Sequence, residues 1–130
     1  MSRSGYSYDL DNWALIKWRG MVASAIRGKR GQRLLRELAE AMDAMPVKVL
    51  VANALHSDGA YCALGVVGAK RGIDLDSIDP EDPPQVSEAF DIAECLAQEI
   101  AEINDSNYMR ETTEQRWTRV RKWVAEQTKP

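Results

Sequence analysis

The chain has 130 residues, 45% of them hydrophobic and 28% charged, a size and balance that suit one globular domain and exclude a fibrous or disordered chain. No apolar run approaches the roughly 18 residues of a membrane-spanning helix, and residues 1–9 lack the apolar stretch of a secretory signal, so a cytoplasmic protein without membrane contact is expected. The net charge of −3 conceals an uneven distribution, with +6 over residues 1–36, −12 over residues 37–106 and +3 over residues 107–130, a pattern that points to charged partners.

A first helix is expected from Asp9 or Asp11, either of which can cap it, to about Gly28. Trp13, Leu15, Ile16, Trp18, Val22 and Ile26 cover much of its circumference and predict a largely buried helix. Arg19 then falls inside the apolar arc and needs either an acid from residues 74–105 or a ligand. A second helix over Gln32 to Met45 gathers Leu34, Leu35, Leu38, Ala41, Met42 and Met45 into one stripe. Arg33/Glu37 and Arg36/Glu40 are spaced for i,i+4 pairs on its solvent side. Pro46 ends that helix and suits the first turn of the next element. Val47 to Leu55 combines β-branched residues with helical spacing of its apolar positions, and helix is the expectation.

After Asp58-Gly59, the stretch from Ala60 to Arg71 is apolar nearly all round and predicts the central helix. Gly65, Gly68 and Ala69 are small enough to admit another backbone, and Gly72 suits its C-cap. Residues 73–84, acidic and proline-rich, predict a surface connector. A short helix from Pro84 to Phe90 follows, then an amphipathic helix marked by Ile92, Leu96, Ile100 and Ile103 that ends near Asp105. Thr112 and Gln115 have capping-box spacing for a last helix carrying Trp117, Val120, Trp123 and Val124. The sum is an all-α fold: a compact single-domain bundle of about five to six helices, residues 1–130, around a central apolar helix. Most of the four tryptophans are expected to pack between the two end helices.

Motifs of known chemistry are missing: the sequence has no GxSxG, HExxH, Walker A or dinucleotide-binding glycine pattern. With one histidine, His56, and two cysteines, Cys62 and Cys95, the best enzymatic pairing is Cys62 as nucleophile with His56 as base. The simpler reading is two buried thiols and a helix-end histidine, so no enzyme, no cofactor and no metal is expected. Asp74, Asp76, Asp79, Glu81 and Asp82 lack the glycine and terminal glutamate of an EF-hand loop. A dense acidic surface of this kind can instead imitate a nucleic-acid backbone and engage a basic partner.

Arg27, Lys29, Arg30, Arg33 and Arg36 form the opposite cluster. Gly28-Lys29-Arg30-Gly31, like Lys70-Arg71-Gly72, places cations and glycine at an expected helix C-terminus, where they complement the dipole and supply a cap. The same side chains would also make a phosphate-binding patch.

The blocks WRGMVASAIRGKRGQRLLRELAEAMDAMP (18–46), YCALGVVGAKRGIDL (61–75), IDPEDP (78–83), IND (103–105) and TTEQRWTRVRKWV (112–124) resemble small uncharacterised proteins of tailed phages and prophages. The resemblance spans most of the chain and carries no catalytic motif. It implies a phage accessory protein acting in a bacterial host, a class that includes inhibitors of host defence such as anti-CRISPR proteins. The leading expectation is a non-enzymatic interaction protein that blocks a host nucleic-acid-handling protein, a nuclease or CRISPR effector. It would do so through an acidic face formed by Asp74, Asp76, Asp79, Glu81, Asp82 and Glu88. The alternative is a nucleic-acid-binding accessory protein that uses Arg27, Lys29, Arg30, Arg33 and Arg36.

Overall fold

A computed structural model describes residues 12–107 and 109–130. Six α-helices lie among them: α1 (Asn12–Arg27), α2 (Lys29–Asp43), α3 (Ala63–Arg71), α4 (Pro83–Phe90), α5 (Glu94–Asp105) and α6 (Thr113–Gln127). The fold is all-α, as expected, and none of these helices is long and apolar enough to cross a membrane. The expected caps at Asp9 and Asp11 lie outside the described residues.

The core forms where apolar stripes meet. Leu34, Leu35, Leu38 and Met42 of α2 close on Leu64 and Val67 of α3, joined by Phe90, Leu96, Ile100, Val120 and Val124 from the later helices. Ala63 to Gly68 are all buried, so α3 is the central helix that its all-round apolarity predicts. Packing there is at backbone range: a methyl group on Gly65 would collide with the Leu55 carbonyl, and one on Gly68 with Leu75 and Phe90. Gly72 ends α3 in the left-handed conformation at φ 75°, which glycine adopts without steric cost. The capping box of Thr112 and Gln115 opens α6, with both reciprocal bonds formed.

Residues 44–62 overturn the expectation of a helix over Val47 to Leu55. Pro46 opens no helix; the segment is irregular and ends in a short hairpin, β1 (His56–Ser57) with β2 (Ala60–Tyr61). Asp58 and Gly59 both have positive φ, 51° and 82°, the turn that fits two-residue hairpins. Side chains of distant helices satisfy the backbone here. Asn104 Nδ2 donates to the Val51 carbonyl at 2.8 Å, and Asn104 Oδ1 accepts from Ala63 N–H at 3.0 Å. Asp105 accepts from Asn53 N–H at 3.0 Å, and Arg116 Nη1 donates to the Leu50 carbonyl at 3.3 Å. Helical spacing lost to partners about fifty residues away in sequence.

α1 is a second correction. Only Val22 of this helix is buried, while Trp13, Ile16 and Met21 are 66%, 61% and 56% exposed. The helix packs on α2 and α5, with Leu15, Trp18 and Ile26 half-buried and Trp13, Ile16 and Met21 left to solvent. Trp13 carries Lys17 Nζ over its ring at 5.4 Å rather than packing between end helices, whereas Trp117 and Trp123 do pack against the core. Arg19 is exposed; the buried arginine is Arg116, 3% exposed.

Candidate functional site

The basic residues come together at the α1–α2 junction because the two helices meet almost without a loop. Gly28 is the only residue between them, and the Gly31 Cα sits so close to the Ala25 carbonyl that a methyl group there would collide with it. Gln32, 4% exposed, pins the junction: its Nε2 donates to the Ile26 and Gln127 carbonyls at 2.7 and 3.0 Å, and its Oε1 accepts from Lys129 N–H at 2.8 Å. The C-terminal end of α6 is thereby tied to the start of α2.

The result is a shallow cleft of about 580 Å³ walled by Arg27, Lys29, Arg33, Arg36 and Lys129, with Glu37 and Glu40 also in its lining. Four of the five expected basic residues therefore share one surface. Arg30 does not; it turns to Asp91 at the end of α4, with Nη1 3.2 Å from the carboxylate.

The expected i,i+4 pairs along α2 do not form, which leaves Arg33 and Arg36 without an ion pair and five cations against two carboxylates in the cleft. Glu37 is taken by Arg71 of α3 in a two-pronged contact of 2.8 and 2.7 Å, and Glu40 faces Lys70 at 3.7 Å. The hydrogen bonds from Arg71 hold the Glu37 carboxyl below its ordinary pKa and raise that of the guanidinium. Lys70 and Arg71 thus serve as cross-helix partners as well as complementing the end of α3. Among the described residues, Lys29, Arg33 and Arg36 are in no ion pair.

The capping explanation for this cluster also fails in part. Arg27 does sit in the last turn of α1, where the dipole favours it. Lys29 and Arg30, however, open α2, whose N-cap Gly28 makes no side-chain bond and whose first turn holds no acid. A cation at that end is disfavoured by about 0.3–1 kcal/mol, and an anion is favoured.

The acidic residues have the opposite history. All six expected carboxylates are exposed, yet four have local partners. Asp74 caps the 3-10 turn Leu75–Ser77 and Asp82 caps α4, Asp79 accepts from Glu81 N–H at 2.9 Å, and Asp76 lies 2.6 Å from His56 Nε2. Glu81 and Glu88 project without an ion pair among the described residues. No group of three or more His, Cys, Asp or Glu side chains is placed to hold a metal ion among the described residues.

Cys62 and His56 do not form a catalytic pair. Cys62, 1% exposed, is the N-cap of α3 and its Sγ accepts from Gly65 N–H at 3.4 Å, while the His56 ring is engaged by Asp76. Burial raises the pKa of the Cys95 thiol, the reverse of what a nucleophile needs.

The polar cluster that sequence reasoning missed is Asn104, Asp105, Glu111, Arg116 and Arg119 at the α5–α6 junction. Arg119 donates to the Ile103 carbonyl at 2.7 Å and to Glu111 at 2.7 and 3.0 Å, which holds the Glu111 carboxyl below its ordinary pKa. The IND block and the arginines three residues apart on α6 are its traces in the sequence. Most of its hydrogen bonds run to backbone carbonyls and N–H groups, so it is a fold-holding network. Comparison of the chain with protein-family models, with curated proteins and with solved structures yields no match.

Proposed function

We propose that this protein is a non-enzymatic, nucleic-acid-binding accessory protein that holds a phosphate backbone in the cleft of Arg27, Lys29, Arg33 and Arg36. The observation that carries the reading is the unpaired state of Lys29, Arg33 and Arg36 in a cleft where Glu37 is bound by Arg71 and Glu40 faces Lys70 of α3. Cations held idle on one concave wall, beside a helix start that favours anions, suit a repeating phosphate better than an isolated carboxylate. The test is binding of labelled oligonucleotide across a salt series. Affinity should fall steeply with salt, and Arg33→Glu with Arg36→Glu should abolish it. Affinity indifferent to salt and to both reversals would reject the reading.

A second reading is favoured by the exposure of Asp74, Asp76, Asp79, Glu81, Asp82 and Glu88 on one connector and the helix after it. In it, this acidic face occupies the nucleic-acid site of a host nuclease or CRISPR effector and inhibits it. Inhibition of such an enzyme that is lost in Glu81→Lys with Glu88→Lys, and kept in the Arg33/Arg36 variant, would favour it over the first. Either activity fits a phage accessory protein working in the cytoplasm of a bacterial host.

A further inference from the structure

The basic cleft continues into a second one of about 520 Å³, and Arg27, Gln32 and Lys129 form the wall the two share. The chemistry changes across that wall. On the far side the floor is apolar, made by Val22, Ala23 and Ile26 of α1, and the rim carries Arg19 together with the carboxylates Glu99 of α5 and Glu126 of α6. The first cleft sets five cations against Glu37 and Glu40, which face Arg71 and Lys70 of α3. The second sets Arg19, Arg27 and Lys129 against Glu99 and Glu126 over an apolar floor, so the sugar-phosphate chain belongs in the first cleft. A nucleobase has the complementary properties. Its flat face lies against aliphatic side chains, its exocyclic amine donates to a carboxylate, and its ring nitrogens and carbonyls accept from a guanidinium.

We propose that the ligand is single-stranded nucleic acid, with phosphates along Lys29, Arg33 and Arg36 and one unstacked base in the neighbouring cleft under Arg19 and Glu126. This rests on the phosphate-binding reading above and adds the strand state. In a duplex the bases are paired and stacked, and reaching the second cleft would require extruding one at a cost. The exposed Arg19, which the apolar arc of α1 does not absorb, thereby gains a role at the base edge.

The experiment compares three labelled ligands on the full chain at one salt concentration: a mixed-sequence single strand (as DNA and as RNA), its duplex, and the same backbone with abasic sites. The single strand should bind about tenfold more tightly than the abasic backbone or the duplex, a difference of the size one seated base supplies. Ala23→Phe, which fills the second cleft, should erase that difference while leaving abasic binding unchanged, and the retained abasic binding certifies that the variant is folded. Equal binding of all three ligands, weakened alike by Arg33→Glu, would overturn this proposal and leave the phosphate-binding reading standing. Absence of binding to any of them would overturn both.

Discussion

Two junctions of this molecule collect arginines, and they use them in opposite ways. At the α5–α6 junction Arg116 is 3% exposed and donates to the Asn104 and Leu50 carbonyls at 2.9 and 3.3 Å, while Arg119 spans three carbonyls and Glu111. At the α1–α2 junction Arg33 and Arg36 are exposed and in no ion pair among the described residues. A buried arginine is retained because backbone groups depend on it; an idle one on a concave wall has no such dependants. Residue type and the three-residue spacing are the same in both places, so partner inventory separates a structural cation from a candidate binding one.

The comparison breaks most sharply by substitution at each junction. Arg33→Glu with Arg36→Glu should reduce oligonucleotide affinity by at least about a hundredfold, since each lost and reversed phosphate contact multiplies the effect. Thermal unfolding should show stability changed by no more than about 0.5 kcal/mol, as for other exposed positions. Arg116→Ala should do the reverse. Each buried carbonyl left without a donor costs about 1–3 kcal/mol, so denaturant unfolding should show a large loss of stability, while the folded fraction keeps its affinity for oligonucleotide.

The acidic connector gives a finer cut. Asp82→Ala removes the side chain that accepts from Gln85 N–H at the start of α4 and should cost about 0.5–2 kcal/mol. Glu81→Ala, which removes a projecting carboxylate, should leave the unfolding midpoint where it was. If the acidic face binds a partner, Glu81→Ala should be felt only there.

Acid titration separates committed from idle charges with a smaller effect. Arg71 holds Glu37, Arg121 holds Asp43 and Arg119 holds Glu111 below their ordinary carboxyl pKa values, each chiefly by a hydrogen bond to the charged form. A depressed native pKa means that the unfolded chain binds protons first. These contributions are therefore complete at neutral pH and are lost as pH falls through the carboxylate range. Chemical denaturation at a series of acidic pH values should show that fall, and Arg71→Met should flatten part of it.

Much of the fold was legible in the sequence because local rules governed it. The α2 stripe, the Gly72 cap, the Thr112–Gln115 box and the buried α3 each follow from spacing within one or two turns. Residues 44–62 were not legible, because the donors that hold their backbone, Asn104 and Arg116, lie on later helices. Periodicity also misjudged α1: Trp13 and Ile16 lie at apolar positions, yet spacing carries no information on how many neighbours a helix will have. The site was half legible. The residues of the basic cluster were visible, but Lys29 and Arg30 were assigned to the end of one helix when they begin the next, and that one-residue boundary reverses the meaning of their charge. The pairing of Glu37 and Glu40 with α3, which leaves Arg33 and Arg36 idle, depends on tertiary contact and has no local signature.

The central claim is that the α1–α2 cleft neutralises phosphates with otherwise unpaired cations. It is tested most directly by the salt dependence of single-strand binding, measured in parallel on the native chain and on Arg33→Glu/Arg36→Glu. With three to five participating cations among the cleft residues, the logarithm of the affinity should fall with the logarithm of salt with a slope of about −2 to −3.5. The double variant should lose both the binding and the slope. A native chain that binds no strand, or one whose slope survives the double reversal intact, would contradict the account.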